Sequence, residues 1–162
     1  MPNNVSRLMA LAACSFLWCG SVWGQDLTPT KFASVKRLQC VFSAAAAGVW
    51  PDGAAAVRPR ATVVLKLEID AIDAQDGSAV MRGAPESSAH LVAQFSGWTL
   101  HLLQTDVTGG LAVTSVFARE SRDGKLKATY SRANFLPAGA PGVVTEPEAQ
   151  QYYGECDTAY YP

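Results

Sequence analysis

Of the four cysteines in this chain of 162 residues, Cys40 and Cys156 constrain the fold most, because they sit near opposite ends of everything that follows the first apolar segment. Met1 to Ser6 is polar, Arg7 adds a positive charge, and Leu8 to Trp18 is an apolar run too short for a membrane span, so residues 1–24 read as a cleaved secretory signal. This leaves residues 25–162 as a single domain with no stable transmembrane segment, periplasmic or secreted. Processing removes Cys14 and Cys19, and the remaining even pair enters an oxidising space where disulfides persist. A Cys40–Cys156 bridge is expected, the alternative being two separately buried thiols. A second route stays open at the N-terminus, since Leu11-Ala12-Ala13-Cys14 has the form of a lipoprotein box, with lipid on Cys14.

Charge narrows the function classes. The chain carries 13 basic and 14 acidic residues, with Arg7 the one basic residue in the signal, and no Lys/Arg run or stripe interrupts this balance. Nucleic acid and anionic membrane are therefore not expected as partners.

After the signal, Thr28-Pro29 followed by Phe32, Val35 and Lys36 predicts a short N-terminal helix. From residue 37 the pattern changes to strands punctuated by Asp76-Gly77, Ser96-Gly97, Gly109-Gly110 and Asp123-Gly124, pairs that supply the positive φ of hairpin turns. About eight strands result, at 37–49, 61–73, 78–83, 88–96, 98–107, 111–120, 125–135 and 150–158. Residues 61–70 alternate most clearly, with Val63, Leu65, Leu67 and Ile69 on one face and Lys66, Glu68 and Asp70 on the other. The stretches 51–60 and 137–149 read as long loops.

Two-residue loops fix register. Ser96-Gly97 pairs Ala93 with Leu100 and Leu91 with Leu102, and Asp123-Gly124 pairs Phe117 with Tyr130 and Glu120 with Lys127. The Asp76-Gly77 hairpin leaves Ile72 and Met81 on the nominally polar face, which a bulge near Asp70-Ala71 repairs. A meander of this length curls until its edges meet. In a closed barrel the first and last strands are neighbours, so a Cys40–Cys156 bridge staples the seam; in an open sheet the two cysteines stand too far apart. The expected fold is all-β, an antiparallel up-and-down meander closed into a barrel, with a β-sandwich as the alternative.

The meander, the short leading helix, Gly48-Val49-Trp50 as a G-x-W sequence and a terminal cysteine joined to an early strand resemble the calycin group of lipocalins, fatty-acid-binding proteins and avidin-type barrels. The G-x-W follows a strand-like segment here, where lipocalins place it before or at the opening of the first strand. The resemblance implies a barrel that binds a small apolar or amphipathic molecule.

The registers place Leu100, Leu102, Gln104, Asp106, Val113, Ser115, Phe117, Arg119, Tyr130, Arg132 and Asn134 on one face. If that face is internal, the arginines need partners or a ligand anion. Tyr130-x-Arg132 resembles, in reversed order, the Arg-x-Tyr carboxylate clamp of fatty-acid-binding proteins. The expected ligand site is therefore Arg132, Tyr130 and Arg119 for a polar head, with Phe117, Leu102 and Trp98 against an apolar body. A one-residue bulge in either late strand turns the arginines out to solvent, and that reading stays open. An empty interior above about 300 Å³ marks a ligand barrel, whereas a filled core marks an interaction module acting through its surface.

His90 and His101 fall diagonally on an outer face and do not make a metal site by themselves. No nucleophile, carboxylate pair or phosphate loop is evident, so neither enzymatic activity nor a cofactor is expected. Leu103, Val107, Ala112 and Val116, within strands 98–120, are expected to form an outer apolar patch suited to a protein partner or a homodimer. Tyr152, Tyr153, Tyr160 and Tyr161 make the tail aromatic.

Overall fold

The computed structural model describes residues 32, 34–61, 64–83, 88–105, 110–134 and 147–158. The signal segment, the lipoprotein box, the Thr28-Pro29 helix start, Val63, Asp106, Val107, Gly109, the stretch 137–146, Tyr160 and Tyr161 lie outside the described residues.

Among the described residues, nine strands form one antiparallel sheet: β1 (Leu38–Val49), β2 (Ala56–Arg60), β3 (Leu65–Asp73), β4 (Ser78–Arg82), β5 (Ser88–Ser96), β6 (Thr99–Thr105), β7 (Leu111–Glu120), β8 (Leu126–Asn134) and β9 (Glu148–Thr158). β1 pairs with β3 on one edge and β9 on the other, so eight strands close into a meander barrel as expected. Cys40 stands directly opposite Cys156 in the β1–β9 register, with the two sulfurs at disulfide distance, and the seam is stapled.

The ninth strand, β2, corrects the expected long loop at 51–60. It pairs along the second half of β1, from Ala45 opposite Arg60 to Val49 opposite Ala56. Its Ala-Val-Arg-Pro-Arg sequence carries no apolar alternation to announce it. Pro59 and two arginines suit an added outer strand, where a missing N–H costs no ladder bond and charge deters further pairing.

Turn geometry decides which residues face inward. The turn after β5 is Gly97-Trp98, with Gly97 at φ 58° in its first position. Phe95 therefore faces Leu100 and Ala93 faces Leu102, a shift that keeps the same residues inside. Between β7 and β8, the Ser121 N–H donates to the Lys125 carbonyl at 2.7 Å, and Gly124 takes φ 73° after a turn closed by its own N–H on the Ser121 carbonyl. That is a three-residue loop with a glycine bulge, not a two-residue turn. The added residue sets Glu120 opposite Leu126 and reverses the face of β7 relative to β8, and a further register shift between Val116 and Glu120 brings Tyr130 opposite Thr114 in place of the expected Phe117. The β6–β7 pairing, with Leu102 opposite Thr114, reverses β7 in the same way.

The Asp70-Ala71 bulge is present. Ala71 adopts φ 51°, the register slips between Asp70 and Asp73, and Ile72 turns inward to complete burial. Asp70 is not on a wet face: it is 7% exposed and accepts hydrogen bonds from Arg37, one of them 3.2 Å from Nη2, and pairs with Arg82. Two guanidinium groups beside it hold its carboxyl below the usual carboxylate range, the Arg37 hydrogen bond contributing most and burial opposing.

Among the described residues, apolar side chains fill the barrel. Phe32 and Val35 close the end that carries the β3–β4, β5–β6 and β7–β8 turns, and the Phe32 ring lies 5.3 Å from that of Phe95. Leu38, Ile69, Leu100, Leu102, Val116 and Leu126 pack above them. Across the middle, Phe42, Tyr130 and Tyr152 form an aromatic layer with ring centroids 6.1 and 5.7 Å apart.

Candidate functional site

The end opposite Phe32 lies above that aromatic layer, where β8 delivers Tyr130 and Arg132 to the inner side. Strand pairing sets their neighbours: Thr114 and Tyr152 flank Tyr130, while Ala112 and Gln150 flank Arg132. The Tyr152 hydroxyl donates to Gln150 Oε1 at 2.7 Å, fixing both side chains. A recess of about 260 Å³ remains, lined by Met81, Gln104, Gly110, Leu111, Ala112, Tyr130 and Arg132. Burial pushes the Tyr130 phenol above its ordinary pKa, and the nearby Arg132 charge offsets this in part. Tyr130 therefore stays a neutral hydrogen-bond donor through physiological pH. At the rim, Arg60 of β2 pairs with Glu148 of β9 at 3.3 Å, both partly exposed. A guanidinium and a phenol side by side present converging donors, the arrangement that suits a carboxylate or phosphate oxygen.

The structure unites only part of the expected site. Tyr130 and Arg132 share the recess. Leu102 faces inward but lies 1% exposed in the packed core. Trp98, in the β5–β6 turn, is 54% exposed and far down the barrel. Phe117 and Arg119 point outward, because the three-residue loop and the β6–β7 register give the inside of β7 to Ala112, Thr114, Val116 and Ala118. Phe117 instead lines an outer groove of about 710 Å³ with Val41 and Tyr153.

The same reversal corrects the apolar patch, since Ala112 and Val116 are core residues. The outer apolar row is Val92, Leu103 and Val113, consecutive partners across β5, β6 and β7. His101 stands opposite Gln94, so His90 is a further pair away along β5, and the His101 Nδ1 lies 3.0 Å from Ser115 Oγ. Among the described residues, no group of His, Cys, Asp and Glu could hold a metal ion.

Comparison of the chain with models of known protein families gives no match, and neither does comparison with curated sequences or solved structures. The closed barrel is compatible with a calycin-like architecture. Among the described residues no helix is long and apolar enough to cross a membrane, and the cysteine pair is compatible with an oxidising compartment.

Gln150 and Tyr152 were missing from the expected site. Their signal was Cys156: if its side chain faces inward, strand alternation carries Gly154, Tyr152 and Gln150 to the same side.

Proposed function

We propose that this protein is an exported, non-enzymatic calycin-like barrel that binds the polar head of a small amphipathic anion at the end opposite Phe32. The observation that carries this reading is the pairing of Tyr130 and Arg132 in a small recess above a filled core. Its volume, about 260 Å³, falls short of the roughly 300 Å³ at which pockets begin to enclose a whole small molecule. The barrel thus holds a head, not a cargo. Native mass spectrometry of the protein purified from its own compartment should reveal a bound small anion, and Arg132→Ala should abolish its retention. Retention unchanged by that substitution rejects the recess as the site.

A second reading is favoured by the packed core, the mark of an interaction module, and by the row Val92, Leu103 and Val113, of which Val92 is well exposed. In it the filled barrel is an interaction module, and the face spanning strands 98–120 meets a protein partner or a second copy. Val92→Lys should then convert a dimer to a monomer in sedimentation analysis; a wild-type monomer at all concentrations removes the homodimer.

A further inference from the structure

The recess does not end at the rim. Arg132 and Leu111 line it, and the same two residues also line a groove of about 490 Å³ on the outer face of the barrel, over β7, β8, β9, β1 and β2. The groove is built from Val57, Leu111, Val113, Ala133, Ala149 and Tyr153 together with small and amide-bearing neighbours. Among the described residues that line it, Arg132 is the one that carries charge. An apolar trough with a single cation at one boundary is complementary to a molecule with an anionic head and an apolar chain.

Among the described residues, the interior beneath the recess is packed. Phe42, Tyr130 and Tyr152 cross the barrel directly beneath the recess, and Leu102 and Val116 are packed below them. A chain attached to a head at Arg132 meets an aromatic floor inward and an apolar surface outward. We infer that the ligand class is an amphipathic anion whose head sits at Tyr130 and Arg132 and whose apolar chain passes over the rim into the outer groove. This rests on the head-binding reading above and adds where the rest of the ligand lies.

Isothermal titration of the full protein with hexanoate and dodecanoate tests it. Six added methylenes lying in the groove should tighten dodecanoate binding by about tenfold or more over hexanoate. Val57→Asn and Ala133→Asn alter exposed groove positions outside the recess and add no charge. Each should cut the dodecanoate-to-hexanoate ratio by about threefold or more while leaving hexanoate unchanged. A ratio that survives both substitutions overturns the groove and leaves the recess standing. Binding of neither anion, or hexanoate binding indifferent to Arg132→Ala, overturns both.

Discussion

Phe42 stands directly across the barrel seam from Gly154, and the missing side chain of Gly154 is what lets the two strands approach. A Cβ there would lie 2.1 Å from the Val41 carbonyl oxygen and 2.6 Å from the Phe42 Cα, so the obstacle is backbone that cannot rotate aside. β1 also bulges at this point, between Phe42 and Ala44, and Phe42 is fully buried within the aromatic layer. Gly154→Ala should therefore cost about 2 to 4 kcal/mol, read from urea unfolding. A loss below about 0.5 kcal/mol, the range of an ordinary surface change, contradicts this account of the seam.

Two residues along from that contact, Cys40 and Cys156 join strands 116 positions apart in sequence. Closing so long a loop restricts the unfolded chain, which the chain-entropy model values at about 4 to 5 kcal/mol. The double substitution Cys40→Ser with Cys156→Ser should lower the unfolding free energy by an amount approaching that figure. Reduction of the wild-type protein should reproduce it, and equal stability in oxidising and reducing buffer excludes a bond.

Asp70 supplies a pH dependence with a definite sign. Its folded pKa is depressed by Arg37 and Arg82, so it contributes stability that is fully present above the unfolded carboxylate value of about 3.9 and is lost as pH falls through the lower folded value. Asp70→Asn should flatten the acid limb of the stability profile and cost about 1 to 3 kcal/mol at neutral pH, because Arg37 is left half-buried without its carboxylate. A profile of unchanged slope below pH 4 would show that other carboxylates govern acid unfolding.

The face reversal of β7 predicts unequal effects at two apolar positions. Leu102, inside, should lose about 2 to 5 kcal/mol on substitution by alanine. Phe117, 37% exposed on the outer face, should lose under about 1 kcal/mol. Thermal unfolding of both variants separates this arrangement from one in which Phe117 lines the interior.

Much of the barrel was legible before any coordinates. Alternation over Leu65, Leu67 and Ile69, glycine-bearing turns and a cysteine near each end define a closed meander, because strand periodicity and chain closure are written in residue order. The bulge at Ala71 was legible too, as the one shift that turns Ile72 inward. β2 was not, since Ala56 to Arg60 carries no apolar pattern and takes its strand form from pairing with β1. Nor was the candidate site wholly legible: Asp123-Gly124 is compatible with a two-residue and a three-residue loop, and the difference exchanges the inside of β7 for its outside.

The sequence by itself determined an all-β meander whose first and last strands a cysteine pair could join, and the nearness of Tyr130 to Arg132, since these depend on alternation and on residues two apart in one strand. Only the tertiary structure decided that Phe117, Arg119 and Trp98 stand apart from them, and that the interior is filled. Loop length to a single residue and the packing of Phe42, Tyr130 and Tyr152 across the barrel are set by contacts among distant strands, and no local pattern encodes them.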